Sequence, residues 1–174
     1  MPYSYHKFKQ EIKDKILSNI DSGCKILDVG AGSGCYGDML YGKYNKIDAI
    51  EIFADYIEEF KLSEKYNNVF QGNIISFDFL KYDFIIMGDI LEHLSVTNAQ
   101  LVLSQIESNK KAVLVAVPYL YEQGEMFGNV YEAHLQPDLT PAIMIERYPQ
   151  LRLLYGDSEY GYYVNNIFNK GIHK

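Results

Sequence analysis

The sequence predicts an α/β domain whose doubly wound, mostly parallel sheet ends in a C-terminal antiparallel hairpin. Apolar runs of strand length alternate with segments of helical periodicity, which is the pattern of a parallel sheet covered on both faces. Two of these runs, Phe84–Met87 and Ala112–Val117, are continuously apolar, as strands buried on both faces should be. The last two runs follow each other too closely for a crossover helix, which predicts the hairpin.

The first element is predicted to be an amphipathic helix within residues 1–23. Apolar side chains recur at helical spacing from Tyr5 to Ile20, and Gly23 follows where a C-terminal cap would fall. The 174 residues are 48% hydrophobic, which is sufficient for the core of a single domain over residues 1–174.

Five apolar runs are predicted to form the parallel strands. They are Lys25–Ala31, Lys46–Ile52, Asn68–Gly72, Tyr82–Asp89 and Lys111–Pro118. Helices are predicted between several of them, at Ala54–Leu62 and from Thr97 to about Ser108. The second of these helices opens with Thr97–Gln100, which fits a capping box.

The C-terminal third of the chain departs from this alternation. A short helix is expected to begin at Thr140-Pro141 and to end before Pro149. Leu151–Tyr155 and Gly161–Phe168 are predicted to form the hairpin. The connection over residues 119–139 has no convincing periodicity, and its aromatic residues and glycines suit a lid over a pocket. An ordered surface excursion without a function is the alternative.

Composition and charge exclude several classes of function. The net charge of −7 argues against a broad nucleic-acid footprint, which needs clustered lysine and arginine. No apolar run approaches the roughly 20 residues that span a bilayer, and the N-terminus lacks an apolar leader. With only Cys24 and Cys35, neither a disulfide framework nor a zinc ribbon is indicated. We therefore expect a cytoplasmic protein with no membrane association.

Candidate binding residues stand where the predicted strands end. The first strand runs into Asp28–Gly34, the second ends at Glu51, the third at Gly72-Asn73 and the fourth at Gly88-Asp89. Ligands of open α/β sheets bind beyond the carboxyl ends of the strands. Closely spaced glycines let the backbone approach a ligand, so a nucleoside-type cofactor is the leading interpretation. Gly32–Gly37 also satisfies the dinucleotide pattern G-x-G-x-x-G, and Glu51 suits an adenosine ribose in either case.

In combination these segments resemble the class I S-adenosylmethionine-dependent methyltransferases, specifically the small methyltransferase-domain proteins. The resemblance covers about Ile12 to Phe168. The segments that carry it are Asp28–Gly34, Ala49–Glu51, Gln71–Ile74 and Tyr82–Leu94, which includes Leu-Glu-His-Leu. The resemblance implies a Rossmann-like fold, S-adenosylmethionine as cofactor and methyl transfer to an oxygen or nitrogen nucleophile.

The resemblance also implies contacts to the methionine end of the cofactor. The residues concerned are Asp28, Gly30, Ala31, Gly32, Gly34, Gly88 and Asp89. The backbone of the glycine loop would close on the methionine part, while Asp28 would orient its ammonium group. Gly88 and Asp89 would approach the ammonium and sulfonium from the fourth strand.

At the other end of the cofactor, the resemblance implies that Glu51 accepts hydrogen bonds from both ribose hydroxyls through its two carboxylate oxygens. Ile52 would contact the adenine, and Asn73 with the Ile74 backbone would read the adenine edge. Many members of the family have aspartate where Asn73 stands. An asparagine both donates and accepts, so this difference is compatible with adenine binding.

Methyl transfer from a sulfonium needs mainly an aligned nucleophile and the exclusion of water. The candidate catalytic residues are His93, Tyr119, Glu132 and His134, since a hydroxyl acceptor requires a base and histidine suits that role near neutral pH. Structural alternatives are a His93 that packs at a helix start and a His134 that ties the loop to the core. No metal is expected, because the histidines show no paired ligand spacing.

The leading hypothesis is methyl transfer to a small-molecule acceptor. A nicotinamide-dependent oxidoreductase is an alternative, suggested by Gly32–Gly37 and Glu51, although no second substrate domain is evident. A non-catalytic module that binds S-adenosylmethionine is another. The sequence leaves the acceptor, the methylated atom and the oligomeric state open.

Overall fold

The computed structural model describes residues 5–172. Its strands are β1 (Ile26–Val29), β2 (Ile47–Glu51), β3 (Val69–Gln71), β4 (Phe84–Gly88), β5 (Ala112–Pro118), β6 (Leu151–Gly156) and β7 (Tyr160–Asn165). Its α-helices are α1 (Lys9–Asn19), α2 (Cys35–Leu40), α3 (Ala54–Glu59), α4 (Leu62–Lys65), α5 (Val96–Ser108), α6 (Pro141–Arg147) and α7 (Asn166–Lys170). Short 3₁₀ turns lie at Ile74–Ser76, Leu91–His93 and Val130–Glu132.

The seven strands form one sheet in the order β3-β2-β1-β4-β5-β7-β6. The pairs within β1 to β5 are parallel, whereas β7 runs antiparallel to both β5 and β6. The predicted α/β class, the mostly parallel sheet and the C-terminal antiparallel hairpin are therefore confirmed.

The centre of the sheet is buried on both faces. Every residue of β4 is buried, as is every residue of β5 before Pro118, which explains why these strands are continuously apolar rather than alternating. Alternate side chains enter two cores: Ile26 packs with α1, α2 and α7 on one face, and Leu27 packs with α5 and α6 on the other. None of the helices within residues 5–172 is long and apolar enough to cross a bilayer.

Several element ends differ from the sequence-based expectation. Helix α1 ends at Asn19, before Gly23, because Ile20 is extended and bridges to Ile172. The predicted helix Ala54–Leu62 is interrupted at Lys61, whose left-handed backbone separates α3 from α4.

The C-terminal half of the chain shows two further differences. The cap of α5 is Ser95 rather than the predicted Thr97, since the Ser95 hydroxyl accepts from the Asn98 N–H at 3.2 Å. The second hairpin strand ends at Asn165, whose side chain caps α7 by accepting from the Phe168 N–H. Helix α6 begins after Thr140 and ends before Pro149, as predicted.

Candidate active site at the carboxyl ends of the strands

A cavity of about 230 Å³ lies where the carboxyl ends of β1, β2, β3 and β4 meet. Its lining includes these residues singled out from the sequence: Gly30, Ala31, Gly32, Glu51, Ile52, Asn73, Ile74, Gly88, Asp89, His93 and Glu132. Four other candidates, Asp28, Gly34, Tyr119 and His134, do not line this cavity in the described part of the chain. The parallel topology thus brings most of the candidate cofactor residues to one place.

The glycine loop forms the floor of the cavity next to β1. Gly30 and Gly32 both have left-handed backbone conformations, with φ of 61° and 49°. A side chain at Gly30 would also collide with its neighbour, because an added Cβ would lie 1.9 Å from Ile90 Cδ1. The left-handed backbone therefore favours glycine at Gly30, and a larger residue would also displace the Ile90 side chain.

Glu51 holds the glycine loop in place. Its Oε2 accepts from the Gly32 N–H at 3.0 Å, and its Oε1 accepts from the Phe53 N–H at 2.9 Å. The carboxylate is 5% exposed, and burial raises its pKa, while the backbone donors oppose that rise. Because each carboxylate oxygen has a further lone pair, Glu51 can accept hydroxyl groups from a ligand while the loop stays attached.

The far end of the cavity is formed where β3 runs into a 3₁₀ turn. Asn73 caps that turn, since its Oδ1 accepts from the Ile75 N–H at 2.9 Å. This bond uses the carbonyl oxygen and leaves the amide nitrogen of the exposed Asn73 as a donor toward the cavity side. Ile74 is buried behind it and supplies an apolar wall.

Asp28 lies beneath the glycine loop rather than at the cavity wall. It is 2% exposed and accepts a short hydrogen bond from the Tyr66 hydroxyl. Burial raises the pKa of Asp28 to about 7, although the Tyr66 hydroxyl opposes the rise. The Tyr66 oxygen in turn accepts from the Gly37 N–H at 3.1 Å, so Asp28 and Tyr66 anchor the start of α2 below the loop. Gly34, at the N-cap of α2, is covered by the Lys65 side chain.

The end of β4 brings an acidic group to the cavity. Asp89 has a left-handed backbone with φ of 57°, and the Tyr160 hydroxyl donates to its Oδ1. Burial raises the pKa of Tyr160 well above its ordinary value, so Tyr160 remains a donor at neutral pH. Gly88 has no room for a side chain, because an added Cβ would lie 2.3 Å from Tyr36 Cε2.

The opposite wall comes from the connection between β5 and α6. Glu132 is buried there and accepts from the Tyr56 hydroxyl at 3.0 Å and from Gln123 Nε2 at 3.1 Å. Gln123 Nε2 also donates to the Glu132 carbonyl at 2.7 Å. The Tyr56 bond attaches the loop to α3 and the Gln123 bonds lie within the loop, so the Glu132 carboxylate has a structural role in this arrangement.

His93 and His134 meet beside this wall, with ring centroids 4.7 Å apart. Burial lowers the pKa of His93 to about 4, and the nearby His134 adds to the effect. Burial also lowers the pKa of His134. Both imidazoles are therefore neutral at pH 7, which makes His93 a hydrogen-bond acceptor and a weak base.

Tyr119 is separated from the cavity. Its hydroxyl makes a short hydrogen bond with that of Tyr163, and its N–H donates to the Glu159 carbonyl at 2.8 Å. Tyr119 is 7% exposed and belongs to the core between β5 and α6. The structure thus places it in packing rather than beside the other three candidate catalytic residues.

Sequence reasoning missed several residues of the cavity wall. They are Tyr56, Ser95, Asn98, Asn129, Tyr131 and Leu135. These residues belong to helix starts and to the loop, where no strand end marks them. Sequence reasoning also gave Glu92 no role of its own, whereas the Glu92 side chain is 1% exposed and lies close to His93 and His134. Its position directly before His93 at the end of a buried strand was the available signal.

No protein-family model matches the sequence, and no curated protein matches it at a significant level. Solved structures do match the fold. An S-adenosylmethionine-dependent methyltransferase from Clostridium acetobutylicum ATCC 824 superimposes with a TM-score of 0.66 at 11% identity, covering 93% of this chain and 91% of that one. One from Archaeoglobus fulgidus gives a TM-score of 0.60 at 14% identity, covering 91% and 94%.

Magnesium protoporphyrin IX methyltransferase from Synechocystis PCC 6803, solved with bound S-adenosylhomocysteine, gives a TM-score of 0.64 at 13% identity, covering 92% of this chain and 83% of that one. Two other neighbours are longer proteins, of which this chain spans 55% and 53%. At these identities the likeness defines the fold. This chain has the Rossmann-like fold of the class I S-adenosylmethionine-dependent methyltransferases.

Proposed function

We propose that this protein binds S-adenosylmethionine in the strand-end cavity and transfers its methyl group to an oxygen or nitrogen atom of a small molecule. The charge of the cavity carries this proposal. Its described lining contains the carboxylates Glu51, Asp89 and Glu132, and no lysine or arginine. Such a wall favours a ligand with a sulfonium and an ammonium group and disfavours the pyrophosphate of a nicotinamide dinucleotide.

The adenosine half of the cofactor is assigned to the β2 and β3 side. In this proposal Glu51 accepts both ribose hydroxyls, and the existing bonds to Gly32 and Phe53 keep its carboxylate oriented. Asn73 donates from its amide nitrogen to the adenine edge, while Ile52 and Ile74 pack on the ring.

The methionine half is assigned to the β1 and β4 side. The loop of Gly30, Ala31 and Gly32 leaves its backbone open to the ligand, and Asp89 presents a carboxylate for the ammonium group. Asp28 acts from below the loop, through the field of its buried carboxyl and through the Tyr66 contact that anchors α2.

Bound S-adenosylmethionine supplies an activated methyl group on sulfur. The chain contributes alignment and water exclusion, which account for most of the acceleration that such a transfer requires. The wall of Leu94, Tyr131 and Leu135 gives the acceptor an apolar surface, and Ser95 and Asn98 give it hydrogen-bonding groups. This lining supports a small acceptor with an apolar body and one reactive polar group. We place the reaction in the cytoplasm, where the free thiols Cys24 and Cys35 would remain reduced.

The first test is calorimetric titration of the protein with S-adenosylmethionine, S-adenosylhomocysteine and NAD. We expect micromolar binding of the first two and none of NAD. Glu51→Ala should weaken binding about 100-fold, because two charge-assisted hydrogen bonds are lost. Glu58→Ala is the matched control, since Glu58 is an exposed acid on the neighbouring helix.

Binding of NAD in place of S-adenosylmethionine would reject the proposal in favour of an oxidoreductase. Binding of the cofactor without turnover in a screen of hydroxyl and amine acceptors would favour a non-catalytic binding module. In an enzyme, substitution of Glu132 or His134 should lower turnover by more than it lowers cofactor affinity.

A further inference from the structure

Glu92, His93 and His134 bring three potential metal ligands together beside the cavity. One donor atom from each side chain lies within 4.8 Å of the others. The sequence separates the pair Glu92-His93 from His134 by the whole of α5 and β5. Backbone bonds from the Leu135 and Gln136 N–H groups to the Glu92 carbonyl, at 2.8 and 3.0 Å, join the two segments.

The tautomer of both histidines is set by the protein backbone. His93 Nδ1 lies 3.2 Å from the Ala133 carbonyl oxygen, and His134 Nδ1 lies 2.8 Å from the Tyr121 carbonyl oxygen. A carbonyl oxygen only accepts, so Nδ1 carries the proton in each ring and Nε2 keeps its lone pair. Metal-binding histidines are typically oriented in this way by a hydrogen bond from the other ring nitrogen.

Glu92 adds a second, independent observation. Its side chain is 1% exposed, and neither carboxylate oxygen has a hydrogen-bond partner within residues 5–172. A buried carboxylate without a donor is costly unless a positive charge offsets it. A cation between Glu92 and the two histidines would provide that charge.

We propose that Glu92, His93 and His134 bind a divalent transition-metal cation. Two ligands that are each about 2.1 Å from an ion stand at most about 4.2 Å apart. The three donor atoms lie within 4.8 Å of one another, so a small side-chain rotation suffices to bring them to that spacing. Two imidazoles with one carboxylate suit Zn²⁺, Mn²⁺, Fe²⁺ and Co²⁺, and three protein ligands leave coordination positions open. This proposal replaces the expectation of no metal.

The open positions of the cation favour an oxygen nucleophile as the acceptor, an assignment that rests on the proposed function. His93 is part of the cavity lining, so a cation at this cluster adjoins the acceptor region. A bound hydroxyl oxygen loses its proton to solvent more readily because the cation lowers its pKa. The oxygen then forms the bond to the methyl carbon, and the sulfur–carbon bond breaks with its electron pair left on sulfur.

The test is titration of chelator-treated, tag-free protein with Co²⁺, read by its visible absorption and by calorimetry. We expect one Co²⁺ per chain, and at least a tenfold loss of affinity in both Glu92→Gln and His134→Gln. His6→Gln is the matched control, because His6 is exposed and outside the cluster. Circular dichroism of each variant verifies folding, and the half-buried His134 keeps the test valid if Glu92→Gln does not fold.

Failure of Co²⁺, Zn²⁺ and Mn²⁺ to bind would overturn the metal site, as would wild-type affinity in both cluster variants. Neither readout requires S-adenosylmethionine. A protein that binds Co²⁺ but not S-adenosylmethionine would keep the metal site and reject the proposed function. A protein that binds S-adenosylmethionine but no metal would keep the proposed function and reject the metal site.

Discussion

The two walls of the cavity are assembled by different means. The strand-end wall consists of residues that terminate β1 to β4, so the register of the parallel sheet brings Gly30, Glu51 and Gly88 together. The loop wall depends on side-chain hydrogen bonds between segments that are distant in sequence. Gln136 is the centre of these, because its Nε2 donates to the Leu91 and Leu94 carbonyls at 2.9 and 3.0 Å.

The two walls therefore differ in what a substitution would change, which is the stability of the sheet in one case and the position of the loop in the other. Disturbing the strand-end wall means disturbing the sheet itself, since Gly30 donates to the Ile50 carbonyl at 2.7 Å within the core. Disturbing the loop wall removes a few hydrogen bonds while the sheet persists. We therefore expect substitutions in the first wall to affect folding and cofactor binding together, and substitutions in the second to affect mainly the acceptor side.

The largest effect is expected for Gly30→Ala. The added Cβ collides with Ile90, and an alanine at φ of 61° is strained. The free energy of unfolding should fall by about 3 kcal/mol from strain and overpacking, and S-adenosylhomocysteine should bind at least 100-fold more weakly. Urea unfolding and calorimetry measure the two quantities.

Gly124→Ala is the control for that substitution. Gly124 has no atom within 4 Å of an added Cβ and lies in the connection after β5. The Gly124→Ala substitution should leave the free energy of unfolding and the affinity for S-adenosylhomocysteine unchanged. Wild-type affinity in Gly30→Ala would show that the glycine loop does not contact the ligand.

An intermediate effect is expected for Gln136→Ala. This change removes the bonds to the Leu91 and Leu94 carbonyls and leaves the buried Tyr148 hydroxyl, which donates to Gln136 Oε1 at 2.7 Å, without that acceptor. The free energy of unfolding should fall by about 2 kcal/mol. Affinity for S-adenosylhomocysteine should stay within about twofold, while Co²⁺ affinity and methyl transfer fall further.

The exposed Gln10 on α1 provides the comparison variant, Gln10→Ala, which should change none of these quantities. If Gln136→Ala weakened cofactor binding as strongly as Gly30→Ala, the two walls would form one cooperative unit.

The same difference explains what could be predicted from the sequence. The strands, their buried centre and the antiparallel hairpin follow from apolar runs that are local in the chain, and strand-end residues such as Glu51 and Asn73 follow from the parallel topology. The meeting of His93 with His134 could not be predicted, because it depends on backbone bonds to the Glu92 carbonyl and on the Gln136 side chain, which join segments distant in the sequence.

The ends of some helices and strands could also not be predicted from local sequence patterns, because two residues were each able to fill the same role. Ser95 and Thr97 are both favourable N-cap residues. Helix α5 begins directly after Ser95 because the turn that follows β4 ends just before it. Asn165 similarly ends β7 and starts α7, because its side chain reaches the Phe168 N–H. Ile167 and Phe168 are apolar again after the two asparagines, which is why the sequence predicted a longer strand.

The smallest effect is expected for Tyr56→Phe, which tests the direct link between the walls. Tyr56 donates to Glu132, and burial raises the pKa of Tyr56 to about 12, so this bond persists from pH 6 to pH 9. Its loss should lower the free energy of unfolding by about 1 kcal/mol and leave the affinity for S-adenosylhomocysteine within about twofold. The matched variant Tyr41→Phe removes a hydroxyl from a side chain that is 78% exposed and should be neutral. A loss of affinity larger than that of Gln136→Ala would mean that Glu132, held by Tyr56, positions the cofactor as well as the loop.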